Sequence, residues 1–242
     1  MQDAIVIIPT YNEIENIEAI IRAVFSLEKA FDVLIVDDNS PDLTASKVEA
    51  LQKEFPERLF LEVRKEKSGL GTAYIHGFKW ALARYYDYIF EMDADFSHNP
   101  KDLIRLYKAC HVEGADMSIG SRYVKGVNVV NWPMSRVLLS FLASKYVRFI
   151  TRMKIHDTTA GFVCYKRKVL EALNLNKIRF TGYAFQIEMK FKTYGKQFEI
   201  VEIPVIFTDR TKGVSKMSSG IISEAIFGVI SMKIRSIFKK GK

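Results

Sequence analysis

The chain has few cysteines, no basic leader and no long uninterrupted apolar run, and each absence excludes a class of protein. Cys110 and Cys164 are far apart and show no CxxC or Cys/His spacing, so we expect buried thiols in a reducing compartment and no zinc site. The first residues lead directly into an apolar strand, which predicts no signal peptide. The longest apolar stretch, 137–150, is interrupted by Lys145 and Arg148, so we predict no transmembrane helix.

The length, hydrophobicity and net charge of the chain indicate which classes of protein remain. The 242 residues are 48% hydrophobic, which is enough for one well-formed core and argues against disorder. The formal net charge is +8, which favours an anionic partner such as a membrane surface, a nucleic acid or a phosphorylated substrate. Composition alone does not choose between these partners.

Short apolar runs alternate with helical patterns through the first half of the chain. Such alternation predicts an α/β fold with a mostly parallel sheet flanked by helices, in which the strands are apolar throughout because both faces are buried. The second half is less regular. The predicted strands are 4–9, 33–36, 59–63, 88–92, 117–119, 162–165 and 198–207, the last interrupted at Pro204. The predicted helices are 13–27, 43–55, 72–85, 102–112, 133–151 and 184–194.

Acidic residues collect where the predicted strands end. Asp37 and Asp38 follow the second strand, and Asp93 and Asp95 follow the fourth. In an open α/β sheet, ligands bind at the carboxyl ends of the strands. Two carboxylates at i and i+2 of an extended segment point the same way and can share a hard divalent cation. The plainer interpretation of this loop is an acidic turn that caps the next helix through Ser97 or Asn99.

Two other sequence features are weaker evidence for a functional site. Gly69-Leu-Gly71 begins a pattern close to a dinucleotide fingerprint, but Tyr74 stands where a final small residue is needed, so we interpret it as a turn opening the next helix. The four histidines have no ligand spacing, and His98 alone lies near the acidic pair. For Glu188, a helical salt bridge and a role in the site are both open.

Several motifs appear together along most of the chain. They are IPTYNE at 8–13, VDDNSPD at 36–42, KSGLGTA at 67–73, MDAD at 92–95, GSRY at 120–123, WPxxRxxxS at 132–140, DxxxGF at 157–162, FxxE at 185–188 and RxxGxSKM at 210–217. In this order the chain resembles the family-2 inverting glycosyltransferases, and within them the dolichol-phosphate or polyprenol-phosphate mannose synthases.

The resemblance implies a GT-A-like, Rossmann-type domain and assigns roles to individual residues. The nucleotide sugar would be held by Pro9, Tyr11, Glu13, Val36, Asp38, Asp93, Ala94, Arg122, Arg210 and Lys216. Mg²⁺ or Mn²⁺ would be held by Asp93 and Asp95, and the acceptor phosphate by Arg136 and Ser140. Catalysis would depend on Asp95, Arg122 and Arg210. Ser97 stands where similar sequences often carry glutamine, so the metal shell is expected to differ there.

The C-terminal residues predict an amphipathic helix with a basic tail. Isoleucine, valine and phenylalanine recur at helical spacing over 218–242, and the segment ends in a lysine cluster. Such a helix suits an anionic membrane interface, although packing on the domain itself or on a partner subunit fits the same pattern. We therefore divide the chain into a catalytic domain, 1–216, and an interface segment, 217–242. The expected location is peripheral, on the cytoplasmic side of a membrane, with a membrane-anchoring partner as an open possibility.

The leading prediction is transfer of mannose from GDP-mannose to a polyprenyl phosphate. A UDP-sugar donor, carrying glucose or an N-acetylhexosamine, would keep the fold and the chemistry. A processive polysaccharide synthase ranks low because the Gln-x-x-Arg-Trp motif of such enzymes is missing from the sequence. From a different class, a non-catalytic nucleotide-binding module would be expected to lose Asp93 or Asp95. A nucleic-acid-binding module is disfavoured because acids, rather than a basic and aromatic stripe, collect at the strand ends.

Overall fold

A computed structural model describes residues 2–182, 184–209 and 227–236. Its strands are β1 (Ala4–Thr10), β2 (Asp32–Asp37), β3 (Leu59–Val63), β4 (Tyr88–Glu91), β5 (Met117–Ser121), β6 (Val129–Val130), β7 (Val163–Lys166), β8 (Ile200–Pro204) and β9 (Phe207–Thr208). Its helices are α1 (Ile17–Phe25), α2 (Thr44–Gln52), α3 (Leu70–Ala83), α4 (Asp102–His111), α5 (Met134–Thr151), α6 (Arg167–Ala172), α7 (Ala184–Gly195) and α8 (227–236), with a 3-10 turn at Leu175–Lys177.

Seven strands form one sheet in the order β3-β2-β1-β4-β7-β5-β8. All neighbours are parallel except β7, which runs antiparallel to both β4 and β5. The predicted α/β fold with a mostly parallel sheet is confirmed. Chain order reverses at β1, which has β2 on one side and β4 on the other, and ligands bind at such a switch point in open α/β sheets.

Alternate residues of β1 feed two separate apolar cores. Ile5 and Ile7 pack with helices α3, α6 and α7 on one face. Val6 and Ile8 pack with α1, α2 and α4 on the other. All residues of β1 from Ala4 to Ile8 are fully buried between the two cores. The sheet is therefore a rigid platform whose carboxyl-end loops can be held in place.

Most predicted elements are present, with some differences in their limits. The first helix begins at Ile17 rather than residue 13, since Glu13 to Asn16 form a turn in which the Glu13 carbonyl accepts the Asn16 and Ile17 amides. The predicted interruption of the strand 198–207 at Pro204 is confirmed, but its two parts belong to different sheets. The chain leaves the main sheet at Pro204, and β9 then pairs with β6 in a separate two-stranded sheet. Elements β6 and α6 were not predicted.

Cys110 and Cys164 are both free and buried, as expected. Gly69 has a φ of 98° and directly precedes α3, so the predicted turn that opens this helix is confirmed. Within the parts of the chain given above, no helix combines the length and apolar character that crossing a bilayer requires.

Only part of the predicted C-terminal helix lies among the described residues, and that part, α8, is helical. Val229 is buried and Met232 packs against the main core. The amine of Lys233 donates to the carbonyl of Thr151 at the end of α5. Gly228 lies so close to Phe180 that a Cβ there would stand 2.7 Å from the ring. One face of α8 is thus docked on the domain, while Phe227, Ile230 and Ile234 remain exposed.

Candidate functional site

The loops after β1 and β2 lie side by side because their strands are paired in register. Pro9 pairs with Val36, and the amide of Asp38 donates to the carbonyl of Thr10. Tyr11 follows β1, and Lys67 places its amine 4.3 Å from the centre of the Tyr11 ring. The residues predicted to hold the nucleoside are therefore brought together at one sheet edge.

The two acids after β2 are held differently. Asp37 accepts hydrogen bonds from the hydroxyls of Thr10 and Ser40 and serves the turn. Asp38 accepts a 2.6 Å hydrogen bond from Arg64, which follows the neighbouring strand β3. Burial raises the pKa of Asp38 above its ordinary value, although Arg64 opposes the shift. Asp38 is thus the acid of the pair that faces a neighbouring loop rather than its own turn.

The acidic loop after β4 is folded on itself. Asp95 is buried and accepts the amide of Ser97, while Asp93 leaves 38% of its side chain exposed. The Nδ1 atom of His98 accepts the amide of Asp93 at 3.1 Å. Ala94 is buried between the two acids. The helix-capping interpretation is wrong for both candidates: the N-cap residue of α4 is Lys101, which makes no side-chain cap, and the side chain of Asn99 accepts the amide of Lys101 in the turn before the helix.

The donor chemistry of this loop fits a divalent cation. Carboxylate oxygens are the ligands that Mg²⁺ and Mn²⁺ prefer, and such ions are commonly held by one or two carboxylates together with substrate phosphates. No cluster of three or more His, Cys, Asp or Glu suited to a metal occurs in the described ranges. The buried hydroxyl of Ser97 has no hydrogen-bond partner among the described residues and adds a further oxygen to the loop.

Arg122 is fixed by a buried acid. Asp157 accepts the amide and the Nε and Nη2 groups of Arg122 at 2.7 to 2.9 Å, and Thr159 accepts a further bond from Nη2. Asp157 is fully buried, and despite that burial the Arg122 guanidinium holds the pKa of this carboxyl below its usual range. The 157–161 segment therefore positions the guanidinium of Arg122.

One cavity of about 430 Å³ connects the acidic loop to α5. Its wall includes Asp93, His98, Arg122, Arg136, Ser140 and Gly161. Arg136 lies 4.0 Å from the centre of the Trp132 ring and donates to Asp209 at 2.8 Å. The predicted acceptor-phosphate residues are thus brought to the same cavity as Asp93 and Arg122. Arg210 and Lys216, also predicted for the site, lie outside the described residues.

A buried polar chain lies behind this cavity. Gln186 donates to Glu91 at 2.6 Å, and Lys190 donates to the carbonyl of Ala160 at 2.6 Å and to the Gln186 side chain at 3.2 Å. Burial raises the pKa of Glu91 and lowers the pKa of Lys190. Lys190 thereby ties the 157–161 segment to α7.

Glu188 does not line the cavity. Its carboxylate accepts the amides of Arg179 and Phe180 and pairs with Lys192. The side chain therefore anchors the segment before α7.

We expect Glu188→Ala to lower the free energy of unfolding by about 2 kcal/mol, because the amides of Arg179 and Phe180 lose a buried, charged acceptor. Urea denaturation measures this loss. The turnover number at saturating substrates should stay within twofold of the wild-type value, since no cavity contact is removed; a tenfold loss of turnover would instead assign Glu188 to the site.

Two residues of the site were missed by the sequence reasoning. Arg64 follows β3, so the strand-end rule that found Asp38 would have found it too. Asp157 stands in a quoted motif, but no local pattern reveals that its partner is Arg122, which precedes it by 35 residues in the chain.

Comparison with known proteins agrees with this geometry. A sequence model of the family described as Glycosyl transferase family 2 matches residues 5–173. The chain is 46% identical to a polyprenol monophosphomannose synthase of Mycolicibacterium smegmatis, over 97% of this chain and 88% of that protein. It is 45% identical to an undecaprenyl-phosphate mannosyltransferase of Micrococcus luteus, over 92% and 90%. The fold also matches the mannosyltransferase PcManGT from Pyrobaculum calidifontis, solved with GDP-Man and Mn²⁺, with a TM-score of 0.62 and 19% identity over 99% of this chain and 65% of that one.

Proposed function

This chain belongs to glycosyl transferase family 2 and is a glycosyltransferase, and on that premise we propose that it transfers mannose from GDP-mannose to a polyprenyl phosphate with inversion. The observation that carries the proposal is that Asp93, Arg122, Arg136 and Ser140 line one cavity. A sugar between a diphosphate at the acidic loop and an acceptor phosphate at α5 would occupy this space. The names of the two bacterial relatives support mannose and a polyprenyl phosphate as substrates.

In this proposal the nucleoside lies at the ends of β1 and β2. Pro9, Tyr11, Glu13, Val36 and Asp38 would contact it there. The half-buried ring of Tyr11, with the Lys67 amine over it, and the Asp38–Arg64 pair offer an apolar face and polar groups in adjacent loops.

Asp93 and Asp95 would hold Mg²⁺ or Mn²⁺. When bound, the cation supplies positive charge that stabilises the diphosphate as the sugar bond breaks. Arg122 would add a fixed positive charge on the same side of the cavity, and Asp157 keeps its guanidinium from reorienting as charge develops. Arg210 and Lys216 would contribute further positive charge to the phosphates.

The transfer itself is one displacement. A phosphate oxygen of the acceptor forms a bond to the anomeric carbon, and the bond from that carbon to the diphosphate oxygen breaks, with the electron pair leaving on GDP. A monoester phosphate is largely ionised at neutral pH, because its second pKa is about 6, so no strong general base is needed. The guanidinium of Arg136 would bind this phosphate.

The acceptor side of the cavity suits a lipid at a membrane surface. Helix α5 exposes the apolar residues Met134, Leu138, Leu142 and Phe149 and the basic Lys145. Two further basic residues, the half-buried Arg148 and Arg152 directly after the helix, line the same surface as Lys145 and Phe149. The exposed face of α8 adds Phe227, Ile230 and Ile234. Apolar side chains mixed with basic ones favour an anionic bilayer interface. We propose peripheral attachment on the cytoplasmic side, with residues 217–242 as the interface segment.

A donor screen tests the proposal directly. The purified chain is mixed with Mn²⁺ or Mg²⁺, a polyprenyl phosphate and labelled GDP-mannose, UDP-glucose or UDP-N-acetylglucosamine. Label entering the organic phase only with GDP-mannose is the expected result. Label that enters the organic phase from a UDP-sugar would show that the donor is that UDP-sugar rather than GDP-mannose. If no donor gives lipid-linked label, the acceptor assignment is refuted.

We expect Arg136→Met to raise the KM for polyprenyl phosphate roughly tenfold while the KM for GDP-mannose changes less than twofold, because a charged hydrogen bond to one substrate is lost. Initial rates with a short-chain acceptor in detergent measure both constants. Arg105→Met is the matched control, since Arg105 is an exposed arginine on α4 that pairs with Asp102 and lies away from both the cavity wall and the surface proposed to meet the membrane. Equal changes in both KM values would contradict the assignment of Arg136.

A further inference from the structure

His98 is a buried polar side chain of the cavity wall that is held between two aromatic rings. It is 4% exposed, its ring stacks on Phe162 with centroids 4.8 Å apart, and Phe207 meets it edge-to-face at 5.5 Å. Two aromatic contacts leave the imidazole little freedom to turn. Its polar atoms therefore keep fixed directions.

The hydrogen bond at one ring nitrogen determines the chemistry of the other. Nδ1 accepts the amide of Asp93, so it carries no proton. The proton of the neutral ring must then lie on Nε2, which makes Nε2 a donor. No described residue accepts a hydrogen bond from this group, and His98 lines the cavity. A confined donor with no protein acceptor is suited to a ligand oxygen.

Gly161 has no side chain that could cover the imidazole of His98. A Cβ at Gly161 would lie 3.8 Å from Cε1 of His98 and 3.7 Å from the side-chain nitrogen of Gln186. Any longer side chain would extend over the cavity wall at this point. Gln186 already donates to Glu91, so it has a protein partner for that nitrogen. His98 is thus the polar group that the glycine leaves available.

The position of His98 in the cavity indicates which group of the substrate it contacts. Arg122 and Arg136 bring positive charge to the cavity and suit phosphates. A neutral imidazole between the acidic loop and Gly161 suits an uncharged oxygen instead. Resting on the proposed function, we infer that Nε2 of His98 donates a hydrogen bond to a hydroxyl of the transferred sugar, so that His98 distinguishes the sugar nucleotide from the free nucleotide.

Two substitutions separate the roles of the two ring nitrogens. His98→Asn keeps an acceptor at the place of Nδ1 and loses the distal donor. His98→Gln keeps a distal N–H and loses the near acceptor. Both variants are titrated by calorimetry without lipid acceptor, in the presence of Mn²⁺, with GDP-mannose, UDP-glucose, UDP-N-acetylglucosamine and the free nucleotides.

We expect His98→Asn to weaken binding of GDP-mannose roughly tenfold and binding of GDP less than twofold, because one neutral hydrogen bond to the sugar is lost. His98→Gln should keep the affinity for GDP-mannose within about threefold of the wild-type protein. Thermal melting without ligand checks that each variant is folded, and His98→Gln tests the inference if His98→Asn does not fold.

The outcomes separate this inference from the proposed function. A wild-type protein that binds no sugar nucleotide refutes the proposed function and the inference with it. If the wild-type protein binds a UDP-sugar instead, the proposed donor is wrong, and the variants are then compared with that UDP-sugar. Equal loss of free nucleotide and sugar nucleotide in His98→Asn would overturn the inference, because His98 would then act only through the Asp93 loop. Unchanged affinity for both would overturn it as well.

Discussion

Replacing Asp95 by asparagine is expected to lower kcat/KM for mannosyl transfer about 10³-fold, a loss of about 4 kcal/mol of transition-state stabilisation. The physical reason is the loss of one of two carboxylates proposed to hold the cation against the leaving diphosphate. The neighbouring fold should change little, because an asparagine oxygen can still accept the amide of Ser97. Initial rates across a Mn²⁺ titration measure the effect, and calorimetric titration of Mn²⁺ with GDP measures the binding itself.

Glu113→Gln serves as the control for this experiment. Glu113 is an exposed carboxylate in the turn after α4, away from the cavity wall. It changes the net charge by the same amount without touching the acidic loop, so its rates should match the wild-type rates. The metal assignment fails if the Asp95→Asn protein keeps full metal-dependent transfer.

Asp157→Asn is expected to reduce the free energy of unfolding by about 3–5 kcal/mol at neutral pH, because the buried Arg122 guanidinium loses its charge partner. The effect should depend on pH in a defined direction. The folded-state pKa of Asp157 lies below its ordinary value of about 3.9. The stabilisation is therefore fully present above about pH 5, where the carboxyl is ionised in both the unfolded and the folded state, and it is lost as the pH falls through the folded-state value.

Urea denaturation of the wild-type and Asp157→Asn proteins between pH 7 and pH 3 measures this difference. The gap between them should be constant from neutral pH down to about pH 5 and narrow below about pH 4. Glu18→Gln is the exposed comparison, since Glu18 pairs with Arg22 and Lys47 at the surface and screened surface pairs contribute little. A gap that widens toward acid pH would contradict the charge-pair explanation.

The first half of the fold could be predicted from the sequence because β1, β2 and β4 are buried on both faces and read as continuous apolar runs, and its helices are separated by clear turns. The second half could not, because short-range patterns do not determine partners. Nothing near 163–166 indicates that β7 runs antiparallel between β4 and β5. Likewise, the interruption of the strand 198–207 follows from the sequence, because proline cannot donate to a strand ladder, but nothing in this run indicates that the part after Pro204 pairs with β6.

Some residues of the candidate site could be predicted from the sequence and others could not. Residues at strand ends, such as Asp38 and Asp93, follow from the topology of a parallel sheet. Contacts that depend on loops crossing from the other half of the chain do not, and Asp157 beneath Arg122 is the clearest example. The role of His98 lay between these cases: its closeness to the acidic pair was visible in the sequence, but the direction of its donor depends on Phe162 and Phe207.

The antiparallel strand β7 also has a consequence for how the chain is made. β4 emerges from the ribosome about seventy residues before its partner, with Phe90 opposite Cys164 in the finished sheet. Until β7 is synthesised, the apolar strand β4 has an unpaired edge where β7 will later bind. Such an edge can pair with another chain. Closing a loop of this length is also slow compared with forming local helices. Newly synthesised chains should therefore need a chaperone most during the interval between β4 and β7, and truncations ending in that interval should aggregate.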